Sequence, residues 1–227
     1  MTNLDLNELK TYFKPNNYKN TYLISFEGIE GSGKSTQIQK FTEYLKSKGQ
    51  SVHYFREPGG TKFGEKLREA ILESESPVHP LAEANLFAAS RAQLLFEKVI
   101  PLLEKENQIV ILDRFIDSSL AYQGIARNLG METILELHKR YPLNLTPHCT
   151  FYLQIDLETS LERQNARGNE KDYFEKENTG FYQSLIDGYN GASELFKERI
   201  SIINGNTDQD AVFNQIITEF NKKVVNL

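Results

Sequence analysis

The sequence predicts a three-layer α/β fold built on a parallel sheet of five strands. Three observations carry that expectation. Five short apolar runs rich in β-branched and aromatic residues are spread along the chain, segments of helical periodicity separate them, and a glycine-rich loop joins the first run to the first helix. The runs are Tyr22–Phe26, Ser51–Phe55, Ile109–Leu112, Cys149–Ile155 and Ile200–Ile203, and their near-continuous apolar character predicts strands covered on both faces. Ile38, Phe41 and Leu45 share one helical face, as do Val212, Ile216, Phe220 and Val224. Strands that alternate with helices need crossover connections, which makes the sheet parallel.

No internal repeat and no linker divides the chain. Residues 1–20 are polar and contain Pro15; they read as an N-terminal extension with at most one short helix, which the core does not need, ahead of one domain over 21–227. Residues 165–180 are almost wholly polar and carry both charges, which fits a solvated helix-loop surface or a mobile cover. With 39% hydrophobic and 25% charged residues in 227, the chain can bury a sizeable core, so a disordered or low-complexity protein is excluded. The formal charge of −5 has the wrong sign for long-range attraction to nucleic acid. Cys149 alone cannot form an intrachain disulfide and suits a reducing compartment. Without an apolar run of about 18 residues, or a basic-then-apolar leader, the expectation is a cytoplasmic protein that meets no membrane.

The strongest local signal is Gly28-Ile29-Glu30-Gly31-Ser32-Gly33-Lys34-Ser35, followed by Thr36. A G-x-x-x-x-G-K-S element between a strand and a helix is a phosphate cradle. Its glycines let successive N–H groups point inward at phosphate oxygens, and the following helix adds its positive end. Lys34 would reach the β- and γ-phosphates of a nucleoside triphosphate, and the Ser35 hydroxyl would ligate Mg²⁺. No N-K-x-D tetrapeptide is present to read guanine, and the chain lacks the length and signature of a transporter ATPase. A short chain with a polar insert before its last strand suits a small kinase whose insert closes over the phosphates.

Three more clusters are placed just beyond the carboxyl ends of strands, where a parallel sheet puts its functional residues. They are Arg56-Glu57-Pro58-Gly59-Gly60-Thr61 with Arg68, then Leu86-Phe87-Ala88-Ala89-Ser90-Arg91-Ala92-Gln93, then Asp113-Arg114-Phe115 running through Ser119 to Ala121-Tyr122-Gln123-Gly124. With F-E-G-I-E-G-S-G-K-S-T-Q, these motifs make the chain from about Tyr22 onward resemble the thymidylate kinase family. The resemblance implies a P-loop kinase fold with a mobile LID over about 164–178, ATP and dTMP as partners, Mg²⁺ as cofactor, and a homodimer through the helical segments near 80–103 and 115–138.

Carried over residue by residue, the resemblance assigns Asp113 to Mg²⁺, although an aspartate there can also cap the next helix. Arg114 would clamp the acceptor phosphate, with Arg56 and Arg68 as further candidates; a helix-surface role serves Arg68 equally well. Phe87 would stack on thymine and Arg91 would donate to its oxygen, although a phenylalanine at that spacing is also an ordinary core residue. Ser119 and Gln123 would bond the base, Tyr122 would pack beneath the deoxyribose, and Glu57 belongs to the same dTMP site. Glu30 either orients arginines or meets the sugar 3′-hydroxyl. The transfer step needs positive charge, for which Arg167 comes first, Arg163 second and Lys171 third, because Tyr173 follows Asp172 where relatives carry another arginine. Ser90 replaces a common aspartate and is expected to loosen the hold on Arg91. Asn204-Gly205-Asn206 falls where relatives bring a loop to adenine, and His53, His79, His138, His148 and Cys149 are expected to be incidental. Two alternatives remain at this point: a kinase of another nucleoside monophosphate, and a nucleotide-binding protein without transfer activity.

Overall fold

The structure is a computed structural model describing residues 5–74, 76–167 and 177–224, with only the backbone described at Arg167. The elements in chain order are α1 (Leu6–Lys10), β1 (Tyr22–Glu27), α2 (Lys34–Ser47), β2 (Ser51–Arg56), α3 (Lys62–Leu72) and α4 (Pro80–Leu94). A π-helical turn, Leu95–Val99, leads into α5 (Ile100–Leu103), and then come β3 (Gln108–Asp113) and α6 (Ile116–Ser119). A second π-helical stretch, Leu120–Ala126, precedes α7 (Met131–His138), β4 (Cys149–Gln154), α8 (Leu157–Arg167), α9 (Thr179–Leu195), β5 (Ile200–Asn204) and α10 (Gln209–Lys223).

The five strands form one parallel sheet in the order β2-β3-β1-β4-β5. Alternation along the strands separates two apolar layers. Ile24, Phe26, Ile109, Ile111, Phe151 and Leu153 face one side, against Ile38, Phe41 and Leu45 of α2 and Val212, Ile216 and Phe220 of α10. Leu23, Val110, Leu112 and Tyr152 face the other, against α4, α7, α9 and the second π stretch. The two helical faces read from the sequence are therefore the inner faces of α2 and α10.

Cover on both faces holds for the three central strands and fails at the edges. Ser51, Tyr54 and Arg56 of β2 are exposed, and Ile202 of β5 is 52% exposed. An edge strand has one neighbour, and the helices that cross the sheet centre do not reach past it. The described part of the N-terminal segment, residues 5–20, also differs from expectation, because it packs onto the domain. Leu9 and Phe13 are buried in the larger apolar layer, and Lys14 exchanges backbone hydrogen bonds with Asn144 and Thr146. His148 pins the same segment: its Nδ1 accepts from the Leu23 N–H at 3.1 Å, and its Nε2 meets the Asn16 carbonyl at 3.0 Å.

The register of the sheet positions the site. Phe26, Asp113 and Arg56 are direct partners across β1, β3 and β2, so three strands end side by side. The loops leaving those ends carry the phosphate cradle, the Asp113-Arg114 pair and the Glu57-Pro58 turn, which contains a cis peptide bond.

Candidate active site

Two cavities meet at the loop of residues 28–35. One, of about 350 Å³, is lined on the loop side by Glu30, Lys34 and Ser35 and on the far side by Phe87, Arg91 and Gln123. That is the size range of small-molecule sites. The other, of about 490 Å³, shares Gly31, Ser32 and Gly33 with the first and extends to Thr36, Arg163 and Gly205.

The loop backbone requires its glycines. Gly28 has φ +140°, and a Cβ there would lie 2.6 Å from the Leu153 carbonyl oxygen. Gly33 caps α2 in the left-handed region at φ 91°. Ile29 is buried and anchors the loop in the core. Lys34 folds back over the loop, donating to the Gly28 and Ile29 carbonyls at 2.8 and 3.2 Å. Burial, seconded by Arg114, lowers its pKa to about 8.

Glu30 and Arg114 form the charged hinge of the first cavity. Arg114 adopts φ 70°, a strained conformation for a non-glycine residue. Its Nη2 donates to Glu30 Oε1 at 2.6 Å, and its Nη1 to the Gly28 carbonyl at 3.0 Å and the Tyr189 hydroxyl at 2.8 Å. Tyr122 also donates to Glu30 Oε1, at 2.8 Å, with the Arg114 guanidinium over its ring. Burial opposes ionisation of Glu30, but Arg114 and Lys34 outweigh it and hold the carboxyl below its ordinary pKa. Glu30 Oε2 is buried and accepts no hydrogen bond among the described residues. Of the two readings of Glu30, arginine orientation is seen directly.

Asp113 lies at the end of β3 beside the cavity that Ser35 also lines. It caps nothing: the N-cap position of α6 is Phe115, which makes no side-chain cap bond. An exposed serine hydroxyl and a carboxylate facing one cavity fit Mg²⁺, which takes few protein oxygens and fills its shell with phosphate and water. No cluster of three or more His, Cys, Asp or Glu side chains suited to a metal occurs among the described residues.

At the far end, Arg91 is held more firmly than the Ser90 replacement led us to expect. Its Nε donates to Glu57 Oε2 at 2.7 Å, and its Nη1 meets Ser119 Oγ at 3.1 Å and His138 Nε2 at 2.8 Å. Ser90 instead accepts from the Gly59 N–H at 3.1 Å and fixes the preceding turn. His138 is therefore not incidental; burial, reinforced by Arg91, lowers its pKa to about 3, so it faces the guanidinium as a neutral acceptor. Ser119 accepts that bond and keeps its own O–H as a donor at the cavity it lines. Phe87 is buried, belongs to neither of the two apolar layers and lines the cavity. Arg68 reaches the cavity and donates to the Pro58 carbonyl at 3.3 Å. Arg56 stands half-exposed at the mouth, 3.8 Å from Glu65.

Arg163 closes the second cavity, donating from Nη1 to the Gly31 carbonyl at 3.2 Å and from Nη2 to the Gly205 carbonyl at 3.0 Å. The Arg167 side chain, Lys171 and residues 168–176 of the expected LID lie outside the described residues.

Sequence reasoning missed Glu27, Glu83, His138 and Tyr189. Glu27 ends β1 fully buried and accepts from the Phe115 N–H at 2.7 Å and Ser118 Oγ at 2.6 Å, which fixes the chain after Asp113. A glutamate closing an apolar strand was the available signal. Glu83 lies four residues before Phe87 and eight before Arg91, one face of α4, and that spacing could have found it. Nothing in the sequence marks His138 or Tyr189.

A parallel sheet with a phosphate cradle at its centre, and two cavities meeting there, defines a P-loop phosphotransferase. A family model described as Thymidylate kinase matches residues 26–216. Among curated relatives, a thymidylate kinase of Acholeplasma laidlawii is 42% identical over 203 residues, 88% of this chain and 99% of the relative. Thymidylate kinases of Thermosipho africanus and Thermoanaerobacter sp. (strain X514) are 44% and 41% identical, covering 85% and 86% of this chain and 94% of each relative. The chain belongs to the thymidylate kinase family.

Proposed function

We propose that the first cavity holds dTMP and the second ATP, so that the acceptor phosphate and the γ-phosphate face each other across Lys34. The reaction is that of the family, phosphorylation of dTMP to dTDP. The observation that supports this placement is the meeting of the two cavities at residues 31–33 of the phosphate loop.

An acceptor phosphate oxygen forms a bond to the γ-phosphorus in line with the bond to the β-bridging oxygen, which breaks to leave ADP. No covalent enzyme intermediate is needed, so the protein's work is position and charge. The loop N–H groups and the start of α2 bind the donor phosphates. Lys34 leaves the loop carbonyls to neutralise the transferring group. Arg114, pre-aimed by Glu30, meets the acceptor phosphate, with Arg68 and Arg56 nearer the mouth. Ser35 and Asp113 would hold Mg²⁺, which when bound neutralises phosphate charge and orients the oxygens. Glu30 Oε2, buried and unpartnered among the described residues, is an acceptor suited to the sugar 3′-hydroxyl. Phe87 packs on the base, Tyr122 on the sugar, and Arg91 and Gln123 read the base edge. Arg163 and the Gly205 loop border the ATP side, and Arg167 supplies transition-state charge from the LID.

A homodimer is part of this reading. Phe96, 71% exposed on the helical segment 80–103, supports that segment as an interface; residues 115–124 are too buried within the chain to contribute much. No helix among the described residues is long and apolar enough to cross a membrane, and a cytoplasmic enzyme fits that.

Initial rates of ADP release with ATP and Mg²⁺, measured across dTMP, dUMP, dCMP, dGMP and AMP, test the reading. The highest kcat/KM is expected for dTMP. Faster turnover of another acceptor would reject the base assignment.

A further inference from the structure

Behind each of the two base readers stands a buried group that fixes which of its atoms faces the cavity. Arg91 commits Nε to Glu57 and Nη1 to Ser119 and His138, and among the described residues its Nη2 makes no hydrogen bond, so that nitrogen remains as a donor. Gln123 is 1% exposed, lines the cavity, and donates from Nε2 to Glu83 Oε1 at 2.7 Å. Glu83 has no exposed surface, and burial raises its carboxyl pKa; against that, the Gln123 amide and Arg127, whose Nε lies 3.5 Å from its other oxygen, favour the ionised carboxylate.

We propose that Glu83 is a positioning residue for base specificity: a carboxylate that can only accept hydrogen bonds forces the Gln123 amide to turn its NH₂ away from the substrate and its carbonyl oxygen toward it. This rests on the reading of Arg91 and Gln123 as base contacts. The cavity then presents a donor beside an acceptor. Thymine offers the complement, the O4 acceptor beside the N3–H donor. Cytosine offers the reverse, an exocyclic amine beside an unprotonated N3, and meets donor against donor and acceptor against acceptor. A site of fixed polarity rejects such a ligand because its own buried groups are left unpaired. Glu83 touches no substrate and chooses the keto face through Gln123.

The test compares kcat/KM for dTMP and dCMP, with ATP and Mg²⁺, in the full chain and in Glu83→Gln, Gln123→Leu and the double variant Glu83→Gln/Gln123→Glu. A glutamine at 83 accepts or donates, so Gln123 is freed to turn over. The dTMP:dCMP ratio in Glu83→Gln should fall about tenfold or more, chiefly through a higher KM for dTMP. The double variant restores an acceptor-only group beside the base and should bring the ratio back toward the parent value, an outcome that simple loss of packing would not give. If Glu83→Gln fails to fold, the double variant, which keeps one carboxylate and one amide, carries the test alone: a parental ratio supports the proposal and a collapsed ratio overturns it. A ratio within twofold of the parent in folded Glu83→Gln overturns the proposal by itself. An unchanged ratio in Gln123→Leu overturns the base-contact reading, and the proposal with it.

Discussion

Lys34 lies nearly buried against the carbonyls of its own loop, and only a polyanion gives it a better partner. Lys34→Ala should lower kcat by at least about a hundredfold while leaving the fold intact, since electrostatic stabilisation is where a phosphotransferase gains most; near-parental turnover in a steady-state assay would remove Lys34 from the mechanism. His138 carries a pH consequence. Its folded pKa of about 3 lies below the ordinary 6.5 because burial and then Arg91 disfavour the imidazolium. The unfolded chain therefore binds a proton that the native state refuses, and stability present above pH 6.5 is lost as pH falls toward 3, by at most about 1.4 kcal/mol per pH unit. Urea denaturation of parent and His138→Asn at pH 7.5 and pH 5.5 should show the variant closing its deficit at the lower pH; a constant gap would contradict this. At this scale the sequence disclosed what short motifs encode, such as the cradle and the Asp113-Arg114 pair. It hid what depends on contacts between distant segments. The Arg91–His138 bond joins residues 47 positions apart, and no spacing announces it.

Among the elements, strands were the most legible. All five runs fall within a residue or two of the observed strands, because a buried parallel strand must be apolar on both faces. The covering of β2 was misread for the complementary reason: local composition does not say which strand is at the edge. The π-helical stretch Leu120–Ala126 was invisible as such. It has ordinary helical residues, yet its widened turn carries Tyr122 and Gln123 at the cavity, a frequent use of π geometry. The N-terminal segment was read as polar and dispensable because its two anchoring side chains are diluted among charges. Leu9 is 3% and Phe13 7% exposed, so Phe13→Ala should cost about 3 kcal/mol. A fall of several degrees in thermal midpoint is expected, with kcat unchanged; no shift would show that the segment does not stabilise the domain.

For the molecule as a whole, the strand order carries the function. Placing β1 between β3 and β4 brings the phosphate loop beside Asp113 on one side and beneath Arg163 on the other, so one loop serves two cavities. In the proposed reading, donor and acceptor bind on opposite sides of one cradle, and the short path between their phosphates is a property of the sheet. An analogue joining adenosine to thymidine through five phosphates tests that arrangement most directly. The account predicts that it inhibits competitively against ATP and also competitively against dTMP, with one molecule bound per chain. Competition with one substrate only, or two molecules bound per chain, would contradict it.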